Sequence, residues 1–242
     1  MDDKSKVLVL VEGDKTDVKL MKHLFVIYNI SKNHEIVSYH TNIYTLYNEM
    51  FKNNDPKSID LLQNLKEHEP NENKKKIFDS KYTDILLIFD LDPQDPQFAE
   101  YKIKEMVDYF VESSDMGKLY LNYPMVEAFY HMKSIPDMEF DNYLATKTEL
   151  KEKKYKTRVN LENRNRNYSK FAINKKECNT IIQQNIDKSW RICNKERYAL
   201  IPLYMDILDK QLEQWVDYSQ LYVLCTCVFY IPEYNSDFIK DN

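Results

Sequence analysis

Two short stretches of this chain are apolar at consecutive positions instead of alternate ones. Lys6-Val7-Leu8-Val9-Leu10-Val11 and Thr83-Asp84-Ile85-Leu86-Leu87-Ile88-Phe89 are too short for buried helices and rich in aliphatic side chains. That is the pattern of a strand with protein on both faces, which belongs in a parallel sheet covered by helices. The sequence between them agrees. From Asp14 to Tyr28, the residues Val18, Met21, Leu24, Phe25 and Tyr28 recur at helical spacing and predict an amphipathic helix. Glu35 to His40 reads as a second strand, and Thr41 or Asn42 can cap a helix running to about Phe51. Strand, helix, strand and helix at this spacing predict an α/β fold, an open parallel sheet flanked by helices.

Residues 52–81 are polar and rich in Asn, Lys and Glu, with a short helix expected near Ile59 to Leu65, and they read as a surface insertion. After the Thr83–Phe89 strand, a helix is expected from Pro96 to about Ser113, with Phe98, Tyr101, Ile103, Met106, Val107 and Phe110 as its apolar stripe. Gly117 stands where a turn is needed before a strand at Lys118 to Asn122. Pro124 is placed for the first turn of a helix ending near Met132. Beyond residue 141 the pattern weakens into separate elements at 171–186, 198–215 and 220–231, at least two of them helical. The expected organisation is a catalytic α/β domain over residues 1–140 and a mainly helical region over 141–242.

Composition narrows the function. Only two residues of 242 are glycine. This excludes a Walker-type phosphate loop, a dinucleotide fingerprint and a glycine-rich kinase loop. The net charge is −5 and the pI near 5.6. That is no nucleic-acid signature, although metal ions at an acidic site can supply the positive charge such a partner needs. Four cysteines are too sparse for a disulfide scaffold. The longest apolar run, Leu221 to Ile231, is about half a membrane span, and no basic-then-apolar leader is visible. With a mean hydropathy of −0.64, the expectation is a soluble cytoplasmic protein with reduced thiols and no membrane partner.

Most titratable and aromatic residues outside the strand ends read as structural. No cysteine pair has zinc spacing, and no two histidines stand at i, i+4. Cys225 and Cys227, alternate in an apolar run, are expected on one face of a strand in the core. Trp190 and Trp215 read as packing residues. His131 could orient Glu127 but is expected at the surface. Tyr168, among Arg164, Arg166 and Lys170, could stack on a base, although a plain surface tyrosine is the preferred reading.

The chemistry signal lies at strand ends, where ligands gather in open parallel sheets. The first strand delivers Glu12, with Gly13, Asp14 and Asp17 behind it. The third delivers Asp90 and Asp92, and the fourth leads through Asn122-Tyr123-Pro124 to Glu127. Converging carboxylates repel, and a hard cation such as Mg²⁺ or Mn²⁺ is their natural counter-ion. Gly13 would serve either close ligand approach or plain steric relief in the turn. Asp14 reads better as a helix-start acid complementing the macrodipole. The same role competes for Asp17 and Glu127, and a solvated turn before Pro93 competes for Asp90 and Asp92.

These residues carry a resemblance. Val11-Glu12-Gly13-Asp14-Lys15-Thr16-Asp17, followed later by Phe89-Asp90-Leu91-Asp92, resembles the Toprim domain of topoisomerases, primases, repair proteins and OLD-family nucleases. The likeness covers roughly residues 5–132. Leu121-Asn122-Tyr123-Pro124-Met125-Val126-Glu127 further resembles a downstream element of OLD-like and RloB-like nucleases of bacterial phage defence. The resemblance implies a metal-dependent nuclease acting on DNA or RNA. Glu12, Asp90 and Asp92 would be catalytic, and Glu12, Asp17, Asp90, Asp92 and Glu127 would hold metal. The five-residue step from Glu12 to Asp17 departs from the family's usual four. Two ions about 3.5–4 Å apart would clamp the attacking and leaving oxygens. Lys154, Lys156 and Arg158 are the expected substrate contacts, in a basic supply that includes Lys147, Lys151, Lys153, Arg164 and Arg166; a solvated helix face interleaved with Glu149 and Glu152 is the alternative. The partners implied are nucleic acid, a separate ATPase and, as one assembly option, a second copy.

Two other functions fit less well. A non-cleaving Toprim-like module could bind nucleic acid or an ATPase partner. A haloacid-dehalogenase-like phosphatase could use Asp90-Leu91-Asp92, but that motif usually stands near the N-terminus without a following proline. It would also leave Glu12 unexplained.

Overall fold

The computed structural model describes residues 6–53, 55–114 and 116–240. The chain divides into two compact units, one of residues 1–89 and 101–120, the other of residues 90–100 and 121–242.

The first unit is built on β1 (Val7–Val11), all five residues of which are buried. After α1 (Thr16–Ile27) comes β2 (His34–Ser38), which pairs with β1 in parallel, Val7 opposite His34 and Val11 opposite Ser38. Helices α2 (Ile43–Met50), α3 (Leu61–His68) and α4 (Glu72–Lys75) precede β3 (Asp84–Asp90). β3 pairs with the other side of β1 in parallel, Val11 opposite Ile88. Helix α5 (Glu100–Tyr109) leads to β4 (Lys118–Asn122), and the sheet order is β2-β1-β3-β4. The sheet is parallel and flanked by helices, as the consecutive apolar runs predict.

Burial follows the sequence pattern with instructive exceptions. α1 buries Leu20, Met21, Leu24 and Phe25, but also Asp17 in its first turn. Asn42 caps α2, its side chain accepting the Thr45 N–H at 3.1 Å. Asp60 caps α3 in the same way through Gln63 at 2.9 Å. The polar 52–81 stretch is fastened to the unit by buried Leu61, Leu65 and Phe78.

α5 is shorter than predicted at both ends. Before it, Asp92 sits at φ +42, and successive turns bond Asp95 N–H to the Asp92 carbonyl and Phe98 N–H to the Asp95 carbonyl. With Pro93 and Pro96 in that stretch, the helix starts late. At the far end Val111 forms an antiparallel bridge with Lys118, and Gly117 turns the chain at φ +89. Tyr101, expected in the apolar stripe, is exposed.

A second correction falls at Pro124. Met125 is extended (φ −158, ψ 172), so no α-helix begins there, and a single 3₁₀ turn, Val126–Tyr130, takes its place.

The second unit contains β5 (Leu144–Thr146), α6 (Lys147–Lys151), α7 (Tyr155–Glu162), α8 (Lys175–Cys193), α9 (Tyr204–Tyr218), β6 (Gln220–Tyr222) and α10 (Tyr230–Tyr234). Its residues beyond 141 are mainly helical, but β5 and β6 add an antiparallel pair that the sequence reading missed. α8 packs on α9, burying Ile181, Ile182 and Ile186 on one and Ile207, Leu208 and Leu212 on the other. Fully buried Gln211 holds β6 by giving a hydrogen bond to the Tyr222 carbonyl and accepting one from its N–H, both at 2.9 Å. Lys188 is buried too. Its ammonium donates to the Phe140 and Tyr143 carbonyls at 2.7 and 3.0 Å and lies 4.5 Å from the Phe140 ring centre. Burial pulls its pKa down to about 7, while the two carbonyls and the ring face favour the charged form.

Gly117 generates a stability prediction. A Cβ there would meet Leu61 at 3.2 Å and Leu87 at 3.3 Å, on a backbone conformation that L residues avoid. Gly117→Ala should cost about 1–2 kcal/mol in urea unfolding, and an unchanged midpoint would refute this account of the turn.

Candidate functional site

In the first unit, the backbone of Glu12 is stitched into the sheet on both sides. Its N–H donates to the Ile88 carbonyl at 3.1 Å, and its carbonyl accepts the His40 N–H at 3.1 Å and the Ser38 hydroxyl at 3.5 Å. These bonds fix the point where the half-buried Glu12 side chain leaves the sheet. Gly13 leaves room for the Asp17 carboxylate: a Cβ there would stand 2.6 Å from Asp17 Oδ2 and would have to displace it. The close approach expected at this glycine is therefore made by the Asp17 carboxylate, which folds back over the turn and is itself buried.

In the second unit, Asp90 and Glu127 are set by one cluster of hydrogen bonds. Asp90, the last residue of β3, accepts the Val126 N–H at 2.9 Å on Oδ1, and the Asn122 Nδ2 lies 3.5 Å from the same oxygen. Leu91 N–H donates to the Asn122 carbonyl at 3.1 Å. Asn122 is fully buried, and its Oδ1 accepts the Cys227 N–H at 3.2 Å. Tyr123 and Leu224 exchange backbone hydrogen bonds, each of 2.8 Å, and Thr226 Oγ1 donates to the Leu121 carbonyl at 2.9 Å. The apolar run near the C-terminus therefore braces the end of β4, and Asn122 passes that support to Asp90. Cys225 and Cys227 are buried in the core, as expected, with their sulfurs 3.4 Å apart, but they lie outside any strand.

Asp92 is half-buried in the left-handed region. Its pKa is raised, by burial first and then by the Asp95 charge, with Lys153 opposing. Glu127 is 3% exposed, in the 3₁₀ turn, and forms an ion pair with Lys156 of α7. Lys154 pairs with Glu152 on the surface at 2.5 Å. Arg158 donates to the Leu144 carbonyl at 2.7 Å and meets Glu149 at 3.0 Å, so it ties α7 to β5 and α6.

His131 corrects the surface expectation: it is 1% exposed. Its Nδ1 lies 3.1 Å from the Tyr155 hydroxyl and its Nε2 3.2 Å from Glu162, which holds α7 against the turn that carries Glu127. Tyr168 is also not a plain surface residue, since its ring stacks on that of Tyr130. Asn122 and the buried His131 are the participants that sequence reasoning missed or misplaced, while Lys153, counted in the basic supply, is the cation whose charge reaches Asp92. The asparagine directly before Tyr-Pro at a strand end was the one available sign.

Among the described residues, no three His, Cys, Asp or Glu side chains are grouped so as to hold a metal ion. No helix among them is long and apolar enough to cross a membrane. Comparison with protein-family models, with curated proteins and with solved structures found no match for this chain.

Two tests follow from the packing of α7. Burial lowers the pKa of His131 to about 4 against Glu162, with Arg158 and Lys188 also opposing the charged ring. The unfolded chain then binds the proton more readily, so this contribution is present above about pH 6.5 and lost as pH falls toward 4. The urea midpoint of the natural protein should fall more between pH 7 and pH 5 than that of His131→Gln; equal falls would remove His131 from the account. Lys156→Met should destabilise the fold more than Lys154→Met, because only the former deprives a buried carboxylate of its ion-pair partner. The paired urea titrations decide it.

Proposed function

We propose that this protein is a divalent-metal-dependent nuclease that hydrolyses phosphodiester bonds in DNA or RNA. The observation that carries the reading is the placement of Asp90. It ends a strand whose preceding five residues are buried, and the Val126 N–H that it accepts belongs to the residue next to Glu127. One hydrogen bond thus ties the Asp-Leu-Asp end of β3 to the turn bearing a buried third acid. A role in bacterial phage defence, a cytoplasmic setting and a partner ATPase rest on the Toprim resemblance and composition. Glu12 and Asp17 enter the proposal through the same resemblance.

Mg²⁺ or Mn²⁺ suits the donor chemistry, which is carboxylate oxygen throughout. Burial and Asp95 already oppose the charge of Asp92, and a cation would relieve that opposition. Asp90 and Asp92 would hold the ion, and Glu127, like Glu12 and Asp17, enters as a donor through the resemblance. A bound ion would supply Lewis acidity toward the phosphodiester and an activated water. The chain's own part is to hold its carboxylates still. The Val126 amide fixes one oxygen of Asp90, buried Asn122 backs it, and the turn about Asp92 is closed by the Asp95 N–H. Lys153 places positive charge near Asp92, where a phosphate oxygen would gain negative charge during the reaction. Lys154 and Lys156 are exposed but ion-paired with Glu152 and Glu127, so a phosphate backbone would have to exchange for those carboxylates, and Arg158 is held by Leu144 and Glu149.

One observation favours a second reading, a binding module that does not cut: the acids are not grouped in threes among the described residues. Activity separates the two. Asp90→Asn, Asp92→Asn and Glu12→Gln should each lower Mg²⁺- or Mn²⁺-dependent cleavage of labelled DNA or RNA by about a hundredfold or more, with the circular dichroism spectrum unchanged. Mn²⁺ should raise the Tm of the natural protein and leave that of the Asp90→Asn, Asp92→Asn double variant where it is. Binding without cleavage, with no metal effect on Tm, would establish the module instead.

A further inference from the structure

Tyr168 takes no part in the chemistry proposed above, yet its setting is specific. Its ring stacks on Tyr130, with centroids 3.8 Å apart and planes 10° from parallel. Tyr130 is firmly seated: it is buried, and it meets Phe129 and Phe171 edge-on at 5.0 and 5.3 Å. Tyr168 is half-buried, and Tyr130 is its one aromatic neighbour among the described residues. Its hydroxyl is out of solvent and has no hydrogen-bond partner among the described residues. A buried phenol usually finds a partner for its oxygen. Here the contact that positions the side chain is made by the ring face.

The loop holding this ring is stiffened on both sides. Asn165 Oδ1 accepts the Asn167 N–H at 3.0 Å, and Asn167 Oδ1 accepts the Ser169 N–H at 3.1 Å and its hydroxyl at 2.7 Å. These are Asx turns, which hold a short segment in one conformation. Arg166 and Lys170 flank Tyr168; both are exposed, and neither has a carboxylate partner among the described residues. Arg164, two residues earlier, is by contrast committed to Glu177 at 2.9 Å. The loop is also near the turn that carries Glu127: after burial, it is the Glu127 charge that raises the Tyr168 phenol pKa.

A pre-stacked ring, partly exposed in a stiff loop between two cations that have no carboxylate partner among the described residues, matches how proteins grip unpaired nucleotides. Bases stack on the aromatic face and the cations follow the phosphates. We propose that Tyr168, backed by Tyr130 and flanked by Arg166 and Lys170, is a stacking platform for an unpaired base of single-stranded nucleic acid. This deepens the nuclease reading by naming a strand type, and it rests on that reading for its link to cleavage. In a duplex each base is already stacked on both faces, so the platform has nothing to offer it.

The test is fluorescence anisotropy of the full chain with labelled 12-nucleotide DNA and RNA strands, with EDTA present so that nothing is cut. Tyr168→Leu should weaken binding to single strands by roughly 5- to 150-fold, the range of one base–aromatic stack. Tyr168→Phe should restore it to within about twofold, because the ring and not the hydroxyl acts. Duplex binding should be unchanged by either substitution. An Arg166→Gln, Lys170→Gln variant should bind single strands with a shallower salt dependence, by about one unit of log–log slope. Comparing the DNA and RNA strands identifies which one supplies the base. The platform is refuted if Tyr168→Leu binds single strands as tightly as the natural protein, if single-strand and duplex binding fall together, or if the natural protein binds no strand. Its fate is separable from that of the nuclease reading. Loss of affinity in Tyr168→Leu without any metal-dependent cleavage by the natural protein keeps the platform and removes the nuclease. Cleavage with an indifferent Tyr168→Leu does the reverse.

Discussion

The structure of the first unit depends on the hydrogen bonding of one strand. β1 is buried along its whole length and lies between two parallel neighbours, so its peptide groups have only other strands to bond to. In a water-free environment an unpaired N–H or carbonyl would cost as much as a lost hydrogen bond. That requirement sets the register with β2 and β3, and it extends one residue past the strand, where Glu12 is still bonded on both sides. An acid directly after such a strand inherits the strand's rigidity. The crowding at Gly13 follows from the same geometry, since the helix after the turn returns Asp17 to the backbone it has just left.

The second unit solves a different problem, the burial of irregular backbone. Its loops are long, and their polar groups are met by side-chain amides. Asn185 accepts the Cys225 N–H at 2.9 Å and donates to the Ile181 carbonyl at 2.9 Å. Gln211 does the same for Tyr222, and Asn122 for Cys227 and Asp90. Lys188 satisfies two carbonyls with one ammonium. Each amide both donates and accepts, so it can tie two segments together where a strand ladder cannot form.

What was legible in the sequence follows from this contrast. Strands of consecutive aliphatic residues announce themselves, and β4 was read residue for residue at Lys118–Asn122. The cap at Asn42 and the turn at Gly117 were equally plain, because each has a local cause. The three-residue β5 and β6 carry no periodicity to detect. The helix expected after Pro124 shrank to one turn because Met125 is extended, directly after residues 121–123, which are bonded to partners about a hundred residues further on. His131 and Tyr168 were taken for surface residues because their cover, Tyr143 and α7 for the one and the Tyr130 ring for the other, comes from outside their own segments, where nothing in the adjacent sequence shows it. At the candidate site the carboxylates were visible as strand-end acids. The Val126 amide that holds Asp90 was not, since a backbone N–H has no sequence signature, and the role of Asn122 was hinted at only by its place directly before Tyr-Pro at a strand end.

The support running from Cys227 through Asn122 to Asp90 has a bearing on how this protein is made. A ribosome releases the β1–β3 sheet early, with every residue of that core already translated. The carboxamide behind Asp90 gains its second tie only when positions 224–227 have emerged, well over a hundred residues later. The Val126 amide that holds Asp90 is available far earlier in the chain than the Cys227 amide that holds Asn122, so the two supports of this aspartate differ by about a hundred residues in when they can form.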